Sequence, residues 1–132
     1  MKIYGCFVDF SKAFDSLPRD VLFQKLVNIG ITGKFYNVIQ SIYQNDKVAI
    51  KLNNNISPLI QTLKGVRQGC VLSPLLFNIF MSDLPKELHD DVNVKLDKDT
   101  KLNCLLWADD IILLSETEGG LNVLLNDLHK YS

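Results

Sequence analysis

The sequence has almost no surplus of charge of either sign: fourteen Lys plus Arg stand against fifteen Asp plus Glu, a net of −1. A strongly basic balance is the footprint of a protein that grips a phosphate backbone unaided, so the whole-chain charge argues against a self-sufficient nucleic-acid binder. Cysteine is scarce as well. Cys6, Cys70 and Cys104 are odd in number, far apart and each set in an apolar run. With no CxxC pair and no zinc spacing, they read as buried free thiols in a reducing, intracellular compartment. No uninterrupted apolar run approaches the roughly 18 residues that a membrane span needs. The opening MKIYGCFVDF is too short and too soon charged for a signal peptide. Repeats and low-complexity tracts are lacking too, apart from the asparagines at 53–55, which read as a turn.

What is present is an ordinary globular composition, 47% apolar and 22% charged over 132 residues, the size of one domain. A chain this long buries roughly two-thirds of its unfolded surface, enough for a core without staples. Ile3–Val8 reads as a buried strand halted at Asp9. From Pro18 onward, Val21, Leu22, Leu26 and Ile29 share a helical stripe that Gly30 ends. A second helix is predicted over 32–43, with Phe35, Ile39 and Ile42 inward. Residues 47–52 alternate and pair, across the asparagine turn, with 56–63. Leu72–Leu88 reads as one long apolar helix that tolerates Pro74 in its first turn. Leu102–Trp107 and Ile111–Leu114 form a tight hairpin around Ala108-Asp109-Asp110, and a last helix begins near Thr117. Helices and strands interspersed with an antiparallel hairpin predict an α+β fold.

Two places break apolar runs with acid: Asp9 within CFVDF, and Asp109-Asp110 within LLWADDIILL. Burying an ionised carboxylate without a partner costs several kcal/mol, and adjacent aspartates repel. A divalent cation offsets three clustered carboxylates, and hard oxygen ligands suit Mg²⁺, which keeps several waters and takes substrate phosphates as further ligands. The plainer alternative has Asp9 capping a helix that begins at Ser11, with Asp109-Asp110 as turn residues. It must then explain acids at the ends of two of the most apolar strands, in runs without Lys or Arg. One acid on a strand end and two on a hairpin tip is an arrangement used for nucleotidyl transfer, where two ions about 4 Å apart clamp the attacking and leaving oxygens. No protein nucleophile is needed, and none is evident; His89 and His129 lie in polar helix-end contexts and read as solvated.

Three segments, Asp9-Phe10-Ser11-Lys12-Ala13-Phe14-Asp15, then Gly65 to Asn78 (GVRQGCVLSPLLFN), then Trp107-Ala108-Asp109-Asp110, resemble in order and spacing three signature motifs of reverse transcriptases. The RQGCVLSPLLFNIF wording is most similar to the non-LTR (LINE-like) retrotransposon branch; group II intron and retron enzymes fit less well. The resemblance implies a polymerase palm: an antiparallel sheet with helices packed on one face and the strand ending at Asp9 beside the 102–114 hairpin. It implies catalytic, metal-binding roles for Asp9, Asp109 and Asp110, with the Phe10 carbonyl as a further metal ligand. Two Mg²⁺ ions are implied, with Mn²⁺ as a substitute. Phe14 matches the steric gate that excludes a ribose 2′-hydroxyl, although its spacing alone reads as a core phenylalanine. Gln68, Gly69 and Arg67 match the segment against the incoming dNTP. Ser73 is expected as the N-cap of the following helix. The implied activity is RNA-directed DNA synthesis on a primer 3′-hydroxyl, with RNA template, DNA primer and dNTPs as partners.

Two departures qualify the match. Trp107 stands where the motif usually has Tyr or Phe, beneath the primer terminus. The chain also starts just before the first motif and ends before the downstream motif whose lysine lies near the triphosphate. The expectation is therefore a partial palm over 1–132 without fingers or thumb, inactive by itself, the near-neutral charge reflecting basic surface carried elsewhere. A non-catalytic truncated remnant with the same fold is the alternative. A receiver-like signalling domain also gathers aspartates around Mg²⁺, but it needs the acid pair on its first strand in a parallel pattern. An RNA-binding module needs exposed aromatics along its sheet, and Phe7 with Trp107 does not suffice.

Overall fold

The structure is a computed structural model that describes residues 2–131. In chain order its elements are β1 (Tyr4–Asp9), α1 (Ala13–Ser16), α2 (Arg19–Asn28), α3 (Gly33–Gln44), β2 (Lys47–Val48), β3 (Lys51–Leu52), β4 (Asn55–Ile56), β5 (Ile60–Gln61), α4 (Ser73–Met81) and α5 (Leu84–Glu87). A 3₁₀ turn (Asp90–Val92) then leads to β6 (Val94–Lys95), β7 (Lys101–Leu102), β8 (Cys104–Trp107), β9 (Asp110–Ser115) and α6 (Glu118–Tyr131). These form two compact units, Met1–Ser11 with Met81–Ser132, and Lys12–Phe80.

The first unit is organised by an antiparallel sheet in the order β1-β9-β8. Its register runs from Tyr4↔Ser115 to Asp9↔Asp110, and from Cys104↔Leu113 to Trp107↔Asp110. Because side chains alternate along a strand, Ile111, Leu113, Ser115 and Cys104 share a buried face, over which α6 packs against β9 and β1. The opposite face carries Gly5, Phe7, Asp9, Leu105, Trp107, Asp110, Ile112 and Leu114. The continuous apolar run of β1 therefore does not mean burial on both sides: Phe7 is 82% exposed. The β8–β9 turn needs only Ala108 and Asp109, with Ala108 in the left-handed region at φ 53°. Leu102 lies outside this hairpin and pairs with Val94 in a separate ladder. Thr117 caps α6, its Oγ1 accepting the Gly120 N–H at 3.0 Å.

The predicted helix over 72–88 is broken. α4 stops at Met81 and α5 resumes at Leu84, because Pro85 has no N–H to donate and its ring would collide with the Met81 carbonyl four residues earlier. His89 is not simply solvated either: its Nδ1 lies 2.6 Å from Asp127 Oδ2, and its backbone N–H donates to the same oxygen at 3.1 Å.

In the second unit, α2 buries Leu22 and Leu26 and α3 buries Ile39 and Tyr43, while Val21, Ile29 and Phe35 stay exposed. Gly30, at φ 89°, ends α2 as expected: its N–H reaches the Val27 carbonyl at 3.0 Å and the Ile31 N–H reaches that of Leu26 at 2.9 Å. The predicted pair of strands at 47–63 is four two-residue pieces, β3 with β4 and β2 with β5. Asn53 turns at φ 53°, and Pro58 removes a ladder donor between the two pieces.

Charge is divided between the units. Lys12–Phe80 has eight Lys or Arg against three Asp and no Glu, net +5, whereas the remainder has six against twelve acids, net −6. From Lys47 to Ser82 there is no acidic residue at all.

Candidate active site

At the open end of the sheet in the first unit, Asp9 on β1 lies directly opposite Asp110 on β9, and Asp110 lies directly opposite Trp107 on β8. Directly paired residues point to the same face, with Cβ atoms roughly 4.5–5.5 Å apart. A row Asp9–Asp110–Trp107 thus crosses three strands on the uncovered face, and the Trp107 ring is 82% exposed. Asp109 sits in the turn beside them, half-buried, and Phe10 follows the end of β1, also half-buried. Asp9 caps no helix: α1 begins at Ala13, and the capping position belongs to Lys12 at φ 55°.

Two carboxylates directly opposed on a ladder repel. Among the described residues none of the Asp9, Asp109 and Asp110 side chains has a hydrogen-bond or ion-pair partner, so no described side chain compensates that repulsion. Nor, among the described residues, is any group of three or more His, Cys, Asp or Glu gathered to hold a metal ion. The arrangement is two opposed carboxylates with a third one residue away. That donor set fits Mg²⁺, which is held by one or two carboxylates together with substrate phosphates rather than by an all-protein cage.

The second unit positions the GVRQG segment. Gly65 donates to the Leu17 carbonyl at 2.8 Å and Val66 to that of Phe14 at 2.7 Å. At Gly65 (φ 82°) an added Cβ would come within 2.6 Å of the Asp15 carbonyl oxygen, so only glycine allows this approach. The Gln68 amide donates to Asp15 Oδ1 at 3.0 Å, and Gly69 turns the exposed chain at φ 78°. Phe14 is half-buried and stacked on the buried Phe77, with centroids 4.8 Å apart. Ser73 opens α4, but its hydroxyl donates back to the Arg67 carbonyl instead of capping as an acceptor.

Beneath the segment lies a network that sequence reasoning missed. The Arg19 side chain, 9% exposed, donates to the carbonyls of Gly65 (2.7 Å), Tyr43 (2.8 Å) and Thr62 (2.7 Å), and to Thr62 Oγ1 and Asp46 Oδ2 (both 2.9 Å). Asp46 also accepts from Thr62 Oγ1 at 2.5 Å and from Arg67 Nε at 2.7 Å. Burial pushes the Asp46 carboxyl up, but the hydrogen bonds from Thr62, Arg67 and Arg19 outweigh it and hold it below the usual carboxylate range. These partners are scattered along the chain, and no local pattern links them.

The reverse transcriptase (RNA-dependent DNA polymerase) family matches residues 1–132. The chain belongs to that family. Among curated reverse transcriptase relatives, it is 33% identical over 129 residues to the retrovirus-related Pol polyprotein from type-1 retrotransposable element R2 of Nasonia vitripennis, covering 96% of this chain and 12% of the relative. It is also 33% identical over 125 residues to the corresponding polyprotein from type-2 retrotransposable element R2DM of Drosophila melanogaster, 92% of this chain and 12% of that one. The chain thus spans about an eighth of these non-LTR retrotransposon proteins. Its fold is also that of an apo telomerase from Candida tropicalis, with a TM-score of 0.72 at 19% identity, covering 98% of this chain and 28% of the telomerase. No described helix is long and apolar enough to cross a membrane.

Proposed function

We propose that this chain is palm sequence of an RNA-directed DNA polymerase of a non-LTR retroelement, taking RNA template, DNA primer and dNTPs. The observation that carries the reading is the Asp9–Asp110 pair on the uncovered sheet face, in a chain that matches the reverse transcriptase family throughout. Asp9, Asp109, Asp110 and the Phe10 carbonyl would hold the metal. Two Mg²⁺ ions, or Mn²⁺ in their place, would supply Lewis acidity toward a primer 3′-hydroxyl and positive charge toward a triphosphate.

The chain's own residues bind and orient. Phe14, wedged against Phe77, is a stiff gate beside the sugar, since moving it would break a ring stack. Gln68, steadied by Asp15, offers the nucleotide a preset amide, with Gly69 and Arg67 beside it. Trp107, broad and exposed, supports the primer end. The 132 residues span about an eighth of the non-LTR relatives they match, and the expected synthesis from them alone is slight.

The test compares Mn²⁺ binding, read by electron paramagnetic resonance, with stability in the parent chain and in Asp9→Asn, Asp109→Asn and Asp110→Asn. Relieving the opposed carboxylates should raise stability in Asp9→Asn and Asp110→Asn by about 0.2–1 kcal/mol, while Mn²⁺ affinity falls in all three. Absence of Mn²⁺ binding by the parent, or affinity unchanged in the variants, would overturn the catalytic reading in favour of a remnant that keeps only the fold.

A further inference from the structure

The Arg67 side chain is 47% exposed, yet it is held from its backbone almost to its tip. Its carbonyl accepts the Ser73 hydroxyl and, at 3.3 Å, the Cys70 N–H. Its Nε donates to Asp46 Oδ1 at 2.7 Å. Among the described residues its two terminal nitrogens have no partner, so the Nη1–Nη2 edge is the part left free. An exposed arginine ordinarily keeps its rotamer freedom, which is costly to remove.

Charge balance does not explain this hold. The Asp46 carboxylate is already neutralised by the buried Arg19, whose Nη2 donates to Oδ2 at 2.9 Å, and a second, exposed cation adds little stability. Direction does explain it. Oδ2 is fixed by Arg19 and by the Thr62 hydroxyl at 2.5 Å, so Oδ1 is presented at one place. Nε bonded there sets the plane of the rigid guanidinium. Arg19 also holds the Gly65 carbonyl at 2.7 Å, two residues before Arg67, so one buried side chain braces both the segment's backbone and its arginine. On the reading that places Arg67 beside the nucleotide, we propose that Asp46, backed by Arg19, is a positioning residue that fixes the free edge of Arg67 toward the dNTP before the dNTP arrives. Two parallel N–H donors match a pair of acceptor oxygens, and donors ordered in advance lose no freedom on binding.

Geometry rather than charge then makes the Arg67 contact, and that difference can be measured. The sequence has only two arginines, Arg19 and Arg67, so a ¹⁵N-labelled chain shows their Nε–H groups separately by nuclear magnetic resonance. Its backbone amides report the affinity for dTTP in Mg²⁺. The Arg67 Nε–H should be ordered in the parent chain without nucleotide and mobile in Asp46→Asn. Arg67→Lys keeps the charge but lacks the anchor and the fork, and should weaken dTTP binding roughly tenfold. Asp46→Asn should weaken it to a similar extent, and the double variant no further. Circular dichroism checks folding, and Arg67→Lys, at an exposed position, keeps the test open should Asp46→Asn unfold. A mobile Arg67 in the parent, an Arg67→Lys affinity equal to the parent's, or losses that multiply in the double variant would overturn the proposal. Arg67→Gln separates the underlying reading. If it binds dTTP as the parent does, or the parent binds none, Arg67 does not meet the nucleotide, and reading and proposal fall together. If Arg67→Gln weakens binding and Asp46→Asn does not, the proposal falls alone.

Discussion

Removing the Asp46 carboxylate is the sharpest perturbation of the second unit. The side chains of Asp46 and Arg19 are 7% and 9% exposed, 2.9 Å apart. Asp46→Ala leaves the Arg19 guanidinium with four neutral acceptors and no counter-charge. Breaking a buried pair from one side costs about 3–5 kcal/mol, a large share of the roughly 5–15 kcal/mol that holds a domain folded. Arg67 offers the contrast. Its ion pair with the same carboxylate is shorter, 2.7 Å, but its side chain is 47% exposed, so solvent screening limits Arg67→Ala to about 1 kcal/mol.

Urea unfolding followed by far-ultraviolet circular dichroism reads both. With a slope near 2 kcal/mol per molar, the midpoint should fall by about 2 M for Asp46→Ala and by about 0.5 M or less for Arg67→Ala. Replacing both buried partners, Arg19→Met with Asp46→Leu, should cost less than the sum of the single changes, because neither charge is left stranded. If Asp46→Ala costs under about 1 kcal/mol, or if Arg67→Ala matches it, the network is not the buried keystone described here.

The same carboxylate sets an acid limit. Asp46 and Asp127 are both held below their ordinary value, burial opposing and hydrogen bonds prevailing, with Thr62, Arg67 and Arg19 as donors to Asp46 and His89 as donor to Asp127. A depressed folded value contributes stability above the unfolded value of about 3.9 and loses it as pH falls through the folded one. Urea midpoints should therefore hold to about pH 5, decline below about pH 4, and decline less steeply in Asp46→Asn, whose starting stability is lower. At the GVRQG segment, Gly65→Ala meets the Asp15 backbone at 2.6 Å as well as a positive φ, whereas Gly69→Ala meets only the positive φ. Thermal unfolding should show a loss of at least roughly 2 kcal/mol for the first and about 1 kcal/mol for the second, and equal losses would refute the close approach.

Asp9 and Asp110 were legible in the sequence because period-two alternation decides which face a strand residue takes, and an acid interrupting an apolar run stands out against it. The helix stop at Gly30 was legible because its left-handed turn is a local matter. The break at Pro85 was legible in principle, but apolar spacing carried the reading across a residue that backbone chemistry forbids in mid-helix. Arg19, Asp46 and Thr62 were not legible. Their contacts with one another span 16 to 43 residues, and a lone arginine near a helix start looks like any solvated side chain until the fold closes over it.

Charge was misleading for a different reason. A net of −1 describes a sum over the whole chain, yet an exposed charge acts over about 8–10 Å at moderate salt, far less than the reach of the chain. The sum that a ligand feels is local. In Lys12–Phe80 that sum is +5. In the remainder the sum is −6, and there two aspartates are placed opposite one another with no described side chain paired to them. One unit thus carries an excess of positive charge and the other of negative, and a near-zero total conceals both.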